Sequence, residues 1–420
     1  MKYQQHNVSP NNFEQCLKCT ICTVYCPVVP VNPNYPGPKQ AGPDGERYRL
    51  KKGDFYDEAL KYCLNCKRCE VACPSNVRIG DIIQSARLKY SKQPTPLRDN
   101  ILADTDLAGK LATKMPSIVN FMLKQPVVKT AMDVTLGVDR HRTFPKYAKK
   151  TFTKWFKHEA LPYQSQYPRQ VTYFHGCYVN YNNPQLGKDF VKIMNATGIG
   201  VQLMEKERCC GVAKIANRLT RQAMRDAQIN LGAIREAVIE KGTQVVGTSS
   251  TCIFTMRDEY HHILHLDNND VRSQINLATR YVWNLLEKGE IKLAFKPEYK
   301  KRIAYHTPCH MAKLGWNIYS IELMRMIPGV EVKVLKSECC GIAGTYGFKK
   351  ENYKYSQAIG SALFEQIEEE HPDLVATDCE TCKWQIEMSV KTPVEVLNPI
   401  SVIADALDVE ATKKLNNITE

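Results

Sequence analysis

The sequence lacks long hydrophobic runs. No stretch of its 420 residues approaches the roughly 18 consecutive apolar residues that a membrane span requires. The first ten residues, MKYQQHNVSP, have no apolar stretch after their charges, so no secretory signal peptide is expected. Without export a disulfide framework is disfavoured. We therefore expect any membrane association to be peripheral or to depend on a partner.

The sequence also lacks the glycine motifs of nucleotide sites. Gly198-Ile-Gly200 follows a predicted helix instead of a strand, so the dinucleotide fingerprint is absent. Gly187-Lys188 lacks the upstream glycine of a phosphate-binding loop. Nucleic-acid binding has no support beyond a formal net charge of +13, which equally favours acidic partners or anionic lipid. Nothing indicates a flavin or nicotinamide site, and substrate oxidation is therefore expected on another polypeptide.

Cysteine, in contrast, is abundant. There are 17 cysteines, an odd number that argues against complete pairing and favours metal or redox use. Two runs, Cys16–Pro27 and Cys63–Pro74, read C-x2-C-x2-C-x3-C-P, the spacing that holds [4Fe–4S] clusters in bacterial ferredoxins. In two-cluster ferredoxins the fourth cysteine of a run ligates the other cluster.

That rule predicts two ligand sets that cross between the runs. The first set is Cys16, Cys19, Cys22 and Cys73, and the second set is Cys63, Cys66, Cys69 and Cys26. Such cross-ligation places the two clusters close together. The alternative is two zinc sites, each held by four thiolates.

Residues 169–408 contain an internal repeat. The first copy has Cys177, Cys209-Cys210-Gly211 and Cys252, and the second has Cys309, Cys339-Cys340-Gly341, Cys379 and Cys382. The vicinal pair and the last cysteine are 42 positions apart in both copies, counted from Cys210 and from Cys340. Each copy alternates predicted strands and helices, which indicates two small α/β units with largely parallel sheets.

The two copies differ in their ligand number. Adjacent cysteines followed by glycine let the backbone fold sharply around a bulky metal centre. Five cysteines in the second copy exceed the four ligands of a zinc site, which favours a polynuclear cluster. The first copy has Ser249 where the second has Cys379, so a cluster, zinc and buried structural thiols all stay open for Cys177, Cys209, Cys210 and Cys252.

Three histidines lie near these cysteines. His306 and His310 flank Cys309, and His175 lies two positions before Cys177. Each is predicted either to support a cluster or a proton relay, or to be an ordinary core histidine.

The segment between the runs and the repeat is basic. From Arg140 to His158 there are seven Lys or Arg residues, no acid and five aromatic residues. A helix starting at Pro145 would place Phe152, Trp155 and Phe156 on one face. This pattern fits either a helix lying in a membrane interface or a basic linker whose aromatics pack on a neighbouring domain.

The whole chain resembles the iron–sulfur C subunits of bacterial anaerobic glycerol-3-phosphate dehydrogenases. The resemblance is carried by Gly37–Arg47, Tyr62–Pro74, His306–His310, Cys339–Lys350 and Thr377–Glu387. The layout is also similar to a wider group that joins a two-cluster ferredoxin domain to two cysteine-rich CCG modules. That group includes heterodisulfide reductase subunits and the iron–sulfur subunits of glycolate- and lactate-oxidising complexes.

The resemblance implies an α/β multidomain fold. The expected domains are a helical ferredoxin-type domain with two [4Fe–4S] clusters (1–98), a basic amphipathic connecting segment (99–168), and two CCG modules (169–292 and 293–408). It also implies a noncubane [4Fe–4S] cluster on one set: Cys309, Cys339, Cys340, Cys379 and Cys382. Ser249 departs from the pattern and leaves a second noncubane cluster open.

The resemblance further implies a role in respiration. A flavoprotein partner, with FAD or FMN in A- and B-type subunits, would oxidise sn-glycerol 3-phosphate to dihydroxyacetone phosphate. This chain, itself not catalytic, would pass the electrons towards menaquinone at the cytoplasmic face of the bacterial inner membrane and would attach the complex there. The alternatives are quinone or disulfide reduction at the Cys309 module, membership of a glycolate, lactate or heterodisulfide complex, and a zinc-stabilised anchoring scaffold.

Overall fold

The structure is a computed structural model that describes residues 12–53, 55–336 and 338–418. The secretory-signal prediction rests on the first ten residues, which lie outside the described residues. The sequence also favours a helix from Asp54 to Cys63, and its first residue, Asp54, lies outside the described residues as well. No helix of the described residues is long and apolar enough to cross a membrane.

The N-terminal part is helical and is built around the two cysteine runs. Its helices are α1 (Ile21–Val24), α2 (Gly45–Lys51), α3 (Arg68–Val71) and α4 (Ile79–Tyr90). The spacing of Ile79, Ile82, Ile83 and Ala86 predicts a helix from Arg78 to Tyr90. The structure confirms it as α4, whose buried face includes these residues. The residues before Cys63 form only a 3₁₀ turn, Glu58–Tyr62.

The connecting segment consists of short helices. They are α5 (Leu97–Ala103), α6 (Thr105–Ala112), α7 (Pro116–Met122), α8 (Pro126–Leu136) and α9 (Phe152–Trp155). Proline is the first residue of α7 and of α8, where its missing N–H costs no hydrogen bond.

The helix predicted from Pro145 is wrong, because the chain becomes helical only at Phe152 and continues to Ala160. Phe152 and Phe156 are 0% and 2% exposed. The Phe152 ring packs edge-on against Tyr173, and it occupies the space that a side chain at Gly187 would need. The aromatics therefore pack on the first module, and a membrane interface formed by this face is excluded.

The first cysteine-rich module has a four-stranded parallel sheet with strand order β2-β1-β3-β4. Its elements are β1 (Arg169–Phe174), α10 (Gly176–Tyr181), α11 (Pro184–Ala196), β2 (Ile199–Leu203), α12 (Val212–Ala216), α13 (Thr220–Arg235), β3 (Val245–Gly247), α14 (Ser250–Phe254), α15 (Tyr260–His262), β4 (Ile275–Leu277) and α16 (Ala278–Glu287).

The second module repeats this topology with strand order β6-β5-β7-β8. Its elements are β5 (Lys301–Tyr305), α17 (Cys309–Leu314), α18 (Asn317–Arg325), β6 (Val330–Val334), α19 (Tyr353–Glu370), β7 (Leu374–Ala376), α20 (Glu380–Ser389), β8 (Glu395–Leu397), α21 (Pro399–Ala406) and α22 (Val409–Leu415). The predicted α/β repeat is confirmed. The last strand of each sheet, β4 or β8, is not among the predicted strands.

The two modules share one hydrophobic core and contact each other through polar groups as well. Residues of both sheets contribute to that core. Asp189 of α11 accepts a hydrogen bond from the Ser401 hydroxyl of α21 at 2.6 Å. The N–H of Ser250 donates to the carbonyl of Asp378 at 2.9 Å, so the last cysteine loops of the two modules lie against each other.

Candidate iron–sulfur centres

The first predicted ligand set converges across the two runs. Burial raises the pKa of the Cys22 thiol, and the neighbouring thiols of Cys16, Cys73 and Cys19 raise it further. Cys73, the fourth cysteine of the second run, therefore lies with the first three cysteines of the first run. The N–H of Val77 lies 3.3 Å from Cys73 Sγ and is oriented to donate to it. Backbone donors of this kind stabilise thiolate ligands.

The second set surrounds a cavity. Cys26, Cys63, Cys66 and Cys69 all line it, together with Tyr35, Leu64 and Lys67 among others. Burial, with the Cys66 and Cys63 thiols nearby, raises the pKa of Cys26 to about 12. Cys26 thus lies with three cysteines of the other run, and the binding of one cluster by these four residues stays a prediction.

The five cysteines of the second module also come together. Cys340 Sγ and Cys382 Sγ are 3.3 Å apart, and a hydrogen bond from Cys382 lowers the pKa of Cys379 to about 5. Gly341 has a φ of +84°, and its N–H donates to Cys339 Sγ at 3.4 Å. A Cβ at Gly341 would lie 2.0 Å from the Ser356 carbonyl oxygen, so the chain needs glycine here for both conformation and space.

The second set and the five-cysteine set adjoin each other. Cys66 and Cys309 pack against the buried cluster of side chains that includes Cys339, and the neighbouring Cys309 thiol lowers the pKa of Cys66. Cys339 lies on the other side of Cys309. The Arg68 guanidinium is close enough to both for their thiolates to raise its pKa, against the opposing effect of burial. No spacing in the sequence indicates this contact, because it joins residues 243 positions apart (309 − 66).

The four cysteines of the first module form a separate group. Cys177 Sγ and Cys209 Sγ are 3.7 Å apart, and the thiols of Cys210 and Cys252 adjoin them. They pack in the core of the first module, whereas Cys309 and Cys339 pack with the N-terminal cysteines. The structure therefore brings the second module's cysteines, and not those of the first, to the ferredoxin-type part.

Charges around the two module sites also differ. Asp106 of α6 accepts a hydrogen bond from the Cys209 N–H at 2.7 Å. Glu207 accepts one from the Gly176 N–H at 2.7 Å and contacts His175 Nδ1 at 3.0 Å. Carboxylates also lie beside the second site, where Asp378 and Glu380 are buried next to Cys379. That site also faces the Arg68 guanidinium, whose charge offsets part of the negative charge of its thiolates.

The three flanking histidines have different surroundings. His306 is fully buried beside Cys339, and among the described residues neither of its ring nitrogens has a hydrogen-bond partner. His310 Nε2 lies 3.1 Å from the carbonyl oxygen of Asn65, and its ring stacks on Phe254. An ordinary core histidine, one of the two predictions, would have hydrogen-bond partners for its ring, so His306 does not fit that prediction. Its unpartnered ring nitrogens are available to hydrogen-bond with a group bound beside Cys339.

The donor chemistry at these sites fits iron–sulfur clusters. Two sets of four thiols and one of five converge, the second set around a cavity, and His306 has unused hydrogen-bonding capacity. Within residues 12–53, 55–336 and 338–418 no three ligand side chains are arranged to hold a single metal ion. The fit therefore rests on the thiols themselves, which are the ligands that such clusters require.

Sequence reasoning missed several supporting residues. Arg68 flanks Cys309, Thr251 Oγ1 lies 3.5 Å from Cys379 Sγ, and Asp378 is buried beneath the loop of Cys379. Asp378 accepts hydrogen bonds from the Tyr305 hydroxyl at 2.7 Å and the Ser320 hydroxyl at 2.9 Å. These contacts are tertiary, so no local pattern marks them. Their positions next to predicted ligands were the one available signal: Arg68 lies inside the second run, Asp378 directly precedes Cys379, and Thr251 lies two positions after Ser249.

The chain matches two family models. A model of the 4Fe-4S dicluster domain matches residues 12–77, and a model of the CCG cysteine-rich domain matches residues 171–257 and 303–387. The chain is also 57% identical over 400 residues to the C subunit of anaerobic glycerol-3-phosphate dehydrogenase from Escherichia coli strain K12. That alignment covers 95% of this chain and 100% of the relative. The chain belongs to this family of C subunits.

More distant relatives align with most of the chain. The glycolate oxidase iron-sulfur subunit of Escherichia coli strain K12 is 24% identical, with 94% of each chain covered. The B subunit of fumarate reductase (CoM/CoB) from Methanothermobacter marburgensis is 23% identical over 92% of this chain and 71% of its own length. The predicted family and fold class are confirmed, and the matched domains support iron–sulfur clusters as the cofactors.

Proposed function

We propose that this chain is the electron-transfer subunit of a membrane-associated anaerobic sn-glycerol-3-phosphate dehydrogenase complex. It accepts electrons from a flavoprotein partner, of FAD- or FMN-containing A and B type, and delivers them to menaquinone. The observation that carries the proposal is that Cys66 and Cys309 pack together where α3 lies against α17. Because of this proximity, the two ferredoxin-type ligand sets and the five-cysteine set follow one another as neighbouring sites, a series along which electrons could pass.

The residues of this chain hold the series in place. The crossed sets hold two [4Fe–4S] clusters, and Cys309, Cys339, Cys340, Cys379 and Cys382 hold a third, noncubane cluster. When bound, such clusters supply one-electron redox chemistry. The protein keeps them close together, buries most of their ligands and places Arg68 where negative charge accumulates.

We infer that the first module serves a structural purpose in this series. The Thr251 hydroxyl and the Ser250 backbone of its last cysteine loop contact Cys379 and Asp378 of the second module. Ser249 lies beside Glu380, which is buried at the same junction. The first module therefore supports the loop that supplies two of the five cysteines.

Iron and acid-labile sulfide content tests the proposed cofactors. Protein purified without oxygen should contain at least about eight iron and eight sulfide per chain, two cubanes' worth, and about twelve of each if the five-cysteine set is loaded. The physical reason is that each converging thiol set matches one cluster. Stoichiometric zinc without iron would contradict the redox function and favour a scaffold.

The membrane contact that we propose lies on α5 to α8. Ten large apolar side chains there are exposed: Leu97, Ile101, Leu107, Leu111, Met115, Ile118, Phe121, Met122, Val127 and Val134. We call them the apolar helix face. Helix α7 has no buried residue at all, although four of its seven residues are Ile, Val, Phe and Met. Exposed apolar surface of this extent marks an interaction site.

Charge favours lipid as the partner of the apolar helix face. Residues 107–132 contain four lysines and no acid. Asn120 of α7 is bonded to the backbone of Tyr147 at 2.8 and 2.9 Å, which brings the basic residues Lys146 and Lys149 beside that helix. Apolar helices rimmed by lysine bind anionic membrane surfaces.

The inner side of the same helices packs next to the five-cysteine set, the site from which electrons would leave the chain. Leu102 of α5 with Met132 and Leu136 of α8 pack on the core that contains Cys340, Cys379 and Cys382. A chain lying on the membrane through the apolar helix face would thus hold its five-cysteine set near the lipid. This is where a lipid-soluble quinone is available.

Substituting the apolar helix face should release the chain from lipid. Each large apolar side chain contributes about 1.5–3 kcal/mol on burial, so Ile118→Asp with Phe121→Asp should lower vesicle partitioning by about 100-fold. The measurement is co-sedimentation of the iron-loaded protein with vesicles of phosphatidylglycerol and phosphatidylethanolamine. Ile318→Asp, a comparably exposed isoleucine on α18, is the control and should bind like wild type. Equal binding of all three proteins would refute the contact.

A further inference from the structure

The two cysteine runs share one backbone shape, so their loops can be compared position by position. Leu17 corresponds to Leu64, and Lys18 to Asn65, each counted from the first cysteine of its run. The second and fourth residues after that cysteine are left-handed in both loops. Their φ values are 59° at Lys18, 65° at Thr20, 54° at Asn65 and 63° at Lys67. Helices α1 and α3 begin directly after these turns.

The loop of the second run is covered by the cysteine-rich modules. The Asn65 amide donates to Glu259 Oε1 at 2.6 Å, and the Asn65 carbonyl contacts His310 at 3.1 Å. Leu64 is 8% exposed. This loop is therefore closed by protein, and the protein that closes it supplies Cys309, the first ligand of the next site.

The corresponding loop of the first run is exposed to solvent. Leu17 is 72% exposed, and Val24 at the end of α1 is 80% exposed. Cys19, a predicted ligand, is itself exposed, unlike any of the other 16 cysteines. Ile21, Tyr25 and Val71 extend the exposed apolar surface around it. A single exposed leucine is common on protein surfaces. A group of exposed apolar side chains around a predicted cluster ligand, in contrast, indicates an interaction site.

We propose that this surface, the entry face, is where the flavoprotein docks and delivers electrons. The entry face consists of Leu17, Cys19, Ile21, Val24, Tyr25 and Val71. The inference rests on the proposed electron-transfer function. It follows from the comparison of the loops, because the equivalent surface of the second run is covered by the body that carries the neighbouring redox site.

The composition of the entry face indicates which kind of flavoprotein surface would bind to it. Lys18 is the one charged residue between Cys16 and Cys26. The partner face should therefore be largely apolar, and docking should depend little on salt. A reduced flavin lies behind that face. It gives up two electrons one at a time, each reducing one [4Fe–4S] cluster, and its protons pass to solvent.

The test uses the purified complex of this chain with its flavoprotein. Leu17→Glu with Val24→Glu should lower the retention of flavin on the complex at least tenfold and slow cluster reduction by sn-glycerol 3-phosphate at least tenfold. Iron content and reduction by dithionite should stay unchanged, because neither side chain is a ligand. Ile239→Glu, which replaces an exposed isoleucine of the first module, is the matched control and should behave like wild type.

Each outcome of the test decides something. Unchanged flavin retention and reduction rate in the double variant would overturn the entry face. If the double variant loses iron, Val24→Glu alone, at the more exposed position, gives the decision through flavin retention. If the wild-type clusters are not reduced by sn-glycerol 3-phosphate although the flavoprotein is retained through the entry face, the proposed function fails and the docking surface stands.

Discussion

Replacing Cys340 with serine should stop menaquinone reduction by the complex while both N-terminal clusters remain reducible by substrate. Cys340 is 4% exposed, and its Sγ lies 3.3 Å from that of Cys382. A buried ligand of this kind has no substitute. Loss of even an outer hydrogen-bonding partner costs about 10–100-fold at metal sites, and we expect the rate to fall by at least about 100-fold.

Cys210→Ser is the matched control, because Cys210 occupies the same position in the first module. The measurements are quinone reduction with a soluble menaquinone analogue and cluster reduction by electron paramagnetic resonance. Cys210→Ser should keep most of the rate, since the first module's cysteines lie in a separate core. If Cys340→Ser retains the wild-type rate, the five-cysteine set is not the exit.

Replacing Cys26 with serine should remove the second cluster and not the first. Cys26 belongs to the first run, yet its thiol lies with Cys63, Cys66 and Cys69 around one cavity. The expected loss is about four iron per chain, one cubane. The same four should be lost in Cys69→Ser and in the double variant of Cys26 and Cys69.

The decisive comparison pairs Cys26→Ser with Cys22→Ser. These residues are four positions apart in one run but lie in different sets, so the double variant should lose about eight iron. Iron analysis on anaerobically purified protein gives the answer. A loss of only four from that pair, together with eight from Cys26 and Cys69, would mean that each run holds its own cluster.

The crossed sets could be predicted from the sequence because their chemistry is local. Three cysteines within seven residues define most of a site, and proline after Cys26 and Cys73 ends each run. The repeat was equally clear, since Cys209-Cys210-Gly211 and Cys339-Cys340-Gly341 recur with the same spacing to the last cysteine. Gly211 and Gly341 have left-handed φ values of 89° and 84°, the conformation that such a turn needs.

The membrane contact that we propose on α5 to α8 could not be predicted from the sequence, because periodicity does not say what covers an apolar face. Phe152 and Phe156 have the spacing of an interfacial helix, but the first module buries them. The exposed helices α7 and α8 are short and begin with proline, so they show weak periodicity. Only tertiary structure distinguishes the face that is covered from the face that is left open.

The contact of Cys66 with Cys309 lies beyond sequence reasoning for a similar reason. It depends on how α3 packs against α17, where Lys313 of α17 pairs with Glu70 of α3 at 2.8 Å. Glu70 occupies a position of the second run that the cysteine spacing leaves open, and Lys313 belongs to no motif, so the sequence does not indicate that they pair. The order that we propose for the redox sites, from the entry face through the crossed sets to the second module, therefore rests on the fold and not on the sequence.

The most direct test is the metal and sulfide content of the wild-type chain purified without oxygen, measured before and after reduction. We predict about eight iron and eight sulfide from the crossed sets, rising to about twelve with the five-cysteine set, and a loss of visible colour on reduction with dithionite. Stoichiometric zinc, no sulfide and no change on reduction would contradict the account.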